Sequence, residues 1–91
     1  MPKDRNRLWI TRIRTGMSRK RLAMMLGQRS TSQICRWERG EQIPTLENAL
    51  MLSHVLQLPV EFLFRGLRQR VVTEVEERLQ RKEEEAVIPT L

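Results

Sequence analysis

The sequence predicts an all-α fold, and two observations support that fold class. Apolar residues recur at three- and four-residue steps, and no segment alternates apolar and polar residues over the length of a strand. Glycine, proline and hydroxyl residues separate the apolar segments, as they do at the ends of helices. A chain of 91 residues accommodates one small domain with an extension.

The first two helices are predicted on either side of Gly16. Asp4 caps a helix that runs to about residue 14, and Ser18 caps a second helix that ends at Gly27. The predicted apolar sides are Leu8, Trp9 and Ile13 in the first helix and Leu22, Ala23, Met25 and Leu26 in the second.

A third helix is predicted between Ser30 and Gly40. Ser30 caps it, and the Gln33 side chain bonds back to the Ser30 backbone to complete a capping box. The helical period places Ile34 and Trp37 on one side, where burial of each stabilises the fold by about 1.5–3 kcal/mol. The opposite side, which then faces outward, consists of Ser32, Arg36 and Arg39.

Two more helices complete the predicted domain. Thr45, just after Pro44, caps the fourth, and Pro59 occupies the first position of a short fifth. One face of the fourth helix is expected to carry Leu46, Ala49, Leu50, Ser53 and Leu56, and the fifth helix contains Leu63 and Phe64.

Beyond Phe64 the composition becomes more charged. Gly66 is expected to break the chain, and residues 71–85 then form a charged helix with a thin apolar stripe. The stripe consists of Val72, Val75 and Leu79. We therefore divide the chain into a domain at residues 1–65 and a helical extension at residues 66–91 with a frayed end at 86–91.

Positive charge is concentrated in the first part of the chain. The net charge is +6, but the first 40 residues hold eleven basic and two acidic residues, a net of +9. Residues 41–70 are neutral, and residues 71–91 carry −3. This asymmetry favours a polyanionic partner over the alternative that the arginines only solvate helix faces.

The order of elements around Gly27 indicates what that partner is. A helix, a turn with glycine and a short helix rich in hydroxyl and basic residues form the layout of a DNA-reading helix-turn-helix. We therefore expect a binding protein for double-stranded DNA and not an enzyme.

Other chemistries have little support in the sequence. Cys35 is the single cysteine, so an intramolecular disulfide is excluded and a reducing compartment is expected. His54 is the single histidine and has no cysteine nearby, so we expect neither a metal site nor a cofactor. Neither a signal segment nor a bilayer-length apolar run is present, so we expect a cytoplasmic protein without a membrane partner.

Residues 17–64 resemble the phage-repressor-type helix-turn-helix family, also called the Cro/CI or XRE family. The matching motifs are Met17-Ser18, Leu22-Ala23, Leu26-Gly27, Ser30 to Ser32, Ile34, Glu38-Arg39-Gly40, Pro44-Thr45-Leu46 and Leu63-Phe64. One departure is the turn, where Gln28-Arg29 stands in place of a single apolar residue. The resemblance implies a compact five-helix domain like that of lambda repressor, acting as a bacterial or phage transcriptional regulator.

The resemblance also implies which residues contact DNA. Base edges would be read by Thr31, Ser32, Gln33 and Arg36. Phosphates would be held by Arg19, Arg29, Ser30 and Arg39, with Lys3, Arg5 and Arg7 as further candidates. Two alternatives remain open: Gln33 could serve only the helix cap, and Arg36 could form only a surface ion pair. The family's acid near the end of the third helix often pairs with an arginine of the first, which implies a structural Glu38–Arg12 pair.

The sequence is compatible with three functions. The leading one is a repressor that binds DNA as a homodimer. The second is an antitoxin that uses the same domain for its own operon and holds a toxin through the extension. The third is a protein-interaction adaptor, which would show no salt-dependent binding to duplex DNA.

Overall fold

The computed structural model describes residues 6–85, with side chains through residue 81, and contains six helices and no strand within that range. The predicted all-α fold class is confirmed. Asp4 and the segment 86–91 lie outside the described residues. The helices are α1 (Leu8–Arg14), α2 (Arg19–Met25), α3 (Ser32–Glu38), α4 (Leu46–Leu56), α5 (Val60–Leu63) and α6 (Arg65–Glu85).

One hydrophobic core joins the first five helices. Its buried members are Leu8, Leu22, Ala23, Leu26, Ile34, Trp37, Leu52, Leu56, Leu63 and Phe64. Each helix of fewer than twelve residues is too short to be stable alone in water, so burial in this core supplies most of its stability. The core therefore holds the helix-turn-helix in shape.

Helix α1 packs differently from the prediction. It begins at Leu8, whose N–H donates to Asn6 Oδ1 at 3.0 Å, while Asn6 Nδ2 donates to the Trp37 carbonyl at 2.8 Å. Of the three expected apolar residues only Leu8 is buried, and Trp9 and Ile13 are about half exposed. The buried positions beside Leu8 are instead Thr11 and Arg12. The apolar pattern failed here because Arg12 enters the interior to meet a carboxylate from another helix.

The predicted signals at three helix ends are confirmed. Ser18 Oγ accepts from the N–H of Arg21, and Thr45 Oγ1 accepts from the N–H of Asn48, as the two predicted caps require. Gly27 has a φ of +75°, and the N–H after it, on Gln28, donates to the Ala23 carbonyl at 2.8 Å. A side chain at position 27 would strain this left-handed conformation, so glycine ends α2 cleanly.

Helix α4 buries only part of the side that was predicted. Ala49 and Leu56 are buried as expected, but the side chains of Leu46 and Leu50 are 74% and 56% exposed. Leu52, which was not in the predicted set, is completely buried. Both sets satisfy helical spacing, so the periodicity of α4 did not distinguish the buried side from the exposed one. Pro59 also differs, because it precedes α5 as its N-cap and does not occupy the first helical position.

The predicted break at Gly66 is wrong, because α6 begins at Arg65 and continues through Gly66. Leu67 packs against the core, which ties the start of α6 to the domain. Further along the helix Val71, Val72, Val75 and Leu79 are exposed. The described part of the chain holds no helix with the length and apolar character needed to cross a membrane.

Candidate nucleic-acid interface

Helix α3 is held against the domain by the two predicted apolar side chains. Ile34 is 0% exposed and Trp37 is 2% exposed, so the prediction for this side of the helix is confirmed. Since one side is buried, the other must face solvent. The exposed residues of α3 include Ser32, Gln33 and Arg36, and Thr31 just before it is half-buried.

The start of α3 differs from the predicted capping box. The helix begins at Ser32, and Ser30 Oγ accepts a long 3.3 Å hydrogen bond from the Ser32 N–H. Gln33 does not bond back to Ser30. Its Oε1 accepts from Gln28 Nε2 at 3.0 Å, so Gln33 is tied to the turn instead of capping the helix.

Three of the predicted phosphate-binding residues lie just before or just after α3 in the chain. Arg29 and Ser30 are exposed in the turn before the helix. Arg39, directly after the helix, is exposed and lies 3.8 Å from Glu41 between Nη1 and Oε2. An exposed pair at this distance adds little stability, so it leaves the Arg39 guanidinium accessible to an anion.

Glu38, the acid of α3, connects three parts of the domain. Its Oε2 lies 2.5 Å from Arg12 Nε, and both side chains are almost completely buried. The Arg12 guanidinium also donates from Nη1 to the Met17 carbonyl at 3.0 Å. The Glu38–Arg12 pair implied by the family resemblance is therefore present, and it joins α1, the loop before α2 and α3.

Arg19 is a second partner of this carboxylate, which the sequence analysis missed. Its Nε donates to Glu38 Oε1 at 2.9 Å, while the Arg19 side chain remains 44% exposed. The hydrogen bond and the charge of Glu38 raise the pKa of Arg19, so sharing this carboxylate does not remove the positive charge that arginine already carries at neutral pH. Because a carboxylate has two acceptor oxygens, the sequence already allowed Glu38 to accept hydrogen bonds from two arginines.

The charge near α2 and α3 has one sign. Residues 18–40 include six basic residues and a single acidic residue, Glu38. Because Glu38 is buried and neutralised by arginine, it contributes little negative potential at the surface. The exposed basic residues of this segment are Arg19, Lys20, Arg21, Arg29, Arg36 and Arg39.

Other candidate chemistries find no support at this surface. Among the described residues, no group of histidine, cysteine and acidic side chains could hold a metal ion. Cys35 is free and half-buried in α3. The exposed groups are hydroxyl, amide and guanidinium groups, which are the groups that bind phosphates and base edges.

A short outward-facing helix on a core, preceded by a glycine turn, defines a helix-turn-helix domain. The helix-turn-helix family model of the XRE and Cro/CI type matches residues 10–63, which is more than half of the chain. The chain belongs to this family of DNA-binding transcription regulators, which is not a family of enzymes. No curated protein matches the chain at a significant level.

Proposed function

We propose that this protein is a sequence-specific transcriptional repressor that inserts α3 into the major groove of its operator. The observation that carries the proposal is the division of α3 into a buried side, with Ile34 and Trp37, and an exposed side with Ser32 and Arg36. The major groove is wide enough for a helix and displays a distinct pattern of donors and acceptors for each base pair. Binding there would block access to a promoter, most simply in the cytoplasm of a bacterium.

Arg36 is the proposed main reader of sequence. Its guanidinium is exposed on the outer side of α3, and the ion pairs of the described residues do not involve it. A guanidinium can donate two parallel hydrogen bonds to guanine O6 and N7, worth about 1–3 kcal/mol of discrimination. Thr31 and Ser32 would add contacts through a methyl and a hydroxyl group, and Gln33 through its amide.

Phosphate contacts would supply most of the affinity. We assign these contacts to Arg29, Ser30 and Arg39, which flank α3 in the chain, and to Arg19, whose side chain meets α3 at Glu38. Arg19 would reach a phosphate with its accessible part while its Nε stays on Glu38. Such contacts carry no sequence information but fix the register of α3 on the duplex.

The test is a binding selection from random duplex DNA at two salt concentrations. We expect enriched half-sites, and we expect Arg36→Ala to lose the preference for guanine at one position of each half-site. Arg81→Ala, which removes the same charge from the side of α6 away from the stripe, is the matched control and should select the same sequences. A uniform loss of affinity in Arg36→Ala, with base preferences unchanged, would make Arg36 a phosphate contact.

We further propose that the protein binds DNA as a homodimer through α6. The stripe of Val71, Val72, Val75 and Leu79 is exposed, although valine and leucine are residues that helices usually bury. The helix has 21 residues, a length of about 31 Å, and only its first turns meet the core. Pairing of two copies would cover the stripe and place two α3 helices on half-sites about 34 Å apart.

The same stripe also supports the alternative that the protein is an antitoxin. In that function α6 would hold a toxin, and the helix-turn-helix would repress the operon that encodes both proteins. Co-expression with the product of a neighbouring small reading frame distinguishes the two functions. A tight complex of the two proteins that Val75→Lys abolishes supports the antitoxin. If the protein instead binds only a second copy of itself and operator DNA, the repressor is supported.

A further inference from the structure

A shallow groove lies between α5 and the first turns of α6. Its volume is about 470 Å³, and its lining residues are Pro59, Glu61, Phe62, Arg65, Arg68 and Gln69. Phe62 is 39% exposed, and the Cζ atom of Arg7 lies 5.0 Å from the centre of its ring. The ion pairs between described residues involve neither Arg65 nor Arg68. The groove therefore combines an exposed aromatic ring with an excess of positive charge.

The groove is continuous with the apolar stripe of α6. Arg65 and Arg68 precede Val72 by seven and four residues, and these spacings place side chains on the same side of a helix. The residues of the stripe are exposed. A second helix that covers the stripe would therefore extend over the groove as well.

The charge of the chain from α6 onward favours one direction for that second helix. Residues 65–70 hold three arginines and no acid, a net charge of +3, whereas residues 71–91 carry −3. In a parallel pair the arginine-rich start of one α6 would lie beside the same start of its partner. In an antiparallel pair it would lie beside the partner's acidic end. Because like charges repel across an interface and opposite charges attract, the antiparallel pair is favoured.

The segment that would meet the groove in an antiparallel pair is residues 83–88. It consists of three glutamates followed by alanine, valine and isoleucine, so it complements both the arginines and the aromatic ring. The groove of the same chain is out of reach. Along α6 Glu85 lies about 24 Å from Gln69, whereas the three residues after Glu85 span at most about 11 Å. Residues 1–5, which also lie outside the described range, are net basic and do not complement the groove.

We propose that residues 83–88 of one copy dock in the α5–α6 groove of a second copy, so that the homodimer is antiparallel and is closed by two exchanged acidic segments. The inference rests on the proposed homodimer and names its contact. If the stripes cross near Val75, the two Arg65 positions lie about 30 Å apart, because each is ten residues from the crossing. This separation is close to the distance of about 34 Å between half-sites one turn of duplex apart.

The experiment is charge reversal, with dimerisation of the full chain measured by analytical ultracentrifugation alone and with a duplex of two half-sites. Arg65→Glu combined with Arg68→Glu makes the groove acidic, and Glu83→Lys, Glu84→Lys and Glu85→Lys together make the segment basic. Each set brings like charges together, so each should raise the dissociation constant of the dimer by at least about tenfold.

Recovery of the dimer identifies the partner of the groove. All five changes in one chain should restore the dimer, because the two charges are exchanged. An equimolar mixture of the two single-set variants should also form a dimer, which docking within one chain would not produce. Arg14→Glu combined with Arg81→Glu makes the same change of charge at exposed positions outside the groove and the stripe, and this control should dimerise as wild type does.

A wild-type dissociation constant in folded Arg65→Glu, Arg68→Glu would overturn the proposal and favour a parallel pair. Failure of the five combined changes to restore the dimer would overturn it as well. Thermal melting shows which variants fold, and if the groove variant does not, the segment variant decides, since it leaves every core residue unchanged.

The outcome for wild type separates this proposal from the proposed function. A wild type that stays monomeric both alone and on the duplex overturns the exchanged segments and the homodimer, while specific binding of that monomer leaves the repressor proposal standing. If wild type instead pairs only with the product of a neighbouring reading frame, the groove and stripe belong to a toxin. If no duplex sequence is enriched, sequence-specific DNA binding fails, and ultracentrifugation of the protein alone still tests the dimer.

Discussion

At the scale of single residues, the buried carboxylate of Glu38 is the most consequential group in the domain. It sits between Arg12 and Arg19, and Arg12 also holds the Met17 carbonyl. A buried carboxylate is costly when its partners are missing. The contacts of Glu38 and Arg12 therefore fix α1, the loop before α2 and α3 relative to one another. The proposed reading of bases by α3 needs this fixed arrangement, because such contacts would tolerate little displacement of the helix.

Arg12→Ala should therefore be strongly destabilising. The change leaves Glu38 buried with Arg19 alone and removes the donor of the Met17 carbonyl, so we expect a loss of about 3–5 kcal/mol in the free energy of unfolding. Urea denaturation measures the loss. Arg14→Ala, an exposed arginine on the same helix, should change the free energy of unfolding by less than about 0.5 kcal/mol. Equal effects of the two changes would mean that the ion pair contributes nothing specific.

Arg19→Gln tests the assignment of a phosphate contact. Arginine is charged throughout the pH range in which DNA binding is measured, and Glu38 raises the pKa of Arg19 further. Its removal should lower the slope of log binding constant against log salt concentration by about one. Fluorescence anisotropy at several salt concentrations gives the slope. Arg81→Gln serves as control, and an unchanged slope in Arg19→Gln would show that the residue is only a partner of Glu38.

At the scale of elements, three helix ends followed from local sequence, whereas Ser30, Pro59 and Gly66 did not act as predicted and the buried helix faces were predicted only in part. Ser18, Thr45 and Gly27 act within one turn of the chain, so their functions follow from local sequence. The buried side of α4 depends on what packs against the helix, and its leucines occur on two sides. Leu50 was expected in the core and is exposed, while Leu52 is completely buried.

This difference predicts opposite outcomes for two leucines of the same helix. Leu52→Ala should lower the free energy of unfolding by about 2–5 kcal/mol because it opens a cavity in the core. Leu50→Ala should change it by less than about 0.5 kcal/mol because its side chain is already largely in water. Thermal or urea denaturation of both variants measures the change in the free energy of unfolding. A larger effect at Leu50 would mean that the originally predicted face of α4 is the buried one.

At the scale of the whole molecule, the elongated shape results from the long helix α6. The domain and its long last helix together measure 53 × 28 × 21 Å. The exposed stripe on α6 lies beyond the contact of Leu67 with the core, so it is available to a second molecule. Two copies joined there would have a two-fold axis, and a repressor with that symmetry reads an operator of two inverted half-sites.

Val75→Lys should disrupt such a dimer. A lysine in the centre of the stripe would bring two like charges together, so we expect weaker, non-cooperative binding to an operator with two half-sites. Thr73→Lys adds the same charge to an exposed position on another side of α6 and should leave binding cooperative. Analytical ultracentrifugation with and without duplex measures the assembly. Cooperative binding by folded Val75→Lys would place the dimer contact elsewhere.

The sequence by itself determined the all-α fold, two helix caps, the glycine that ends α2 and the two side chains that anchor α3, Ile34 and Trp37. These features follow from spacing and from interactions within a few residues. Only the tertiary structure decided that Arg19 shares Glu38 with Arg12, which face of α4 is buried and that Gln28 holds Gln33. The physical reason is that each of these depends on which elements meet in space: Glu38 lies 19 residues from Arg19, and a helical period cannot state which side another helix will cover.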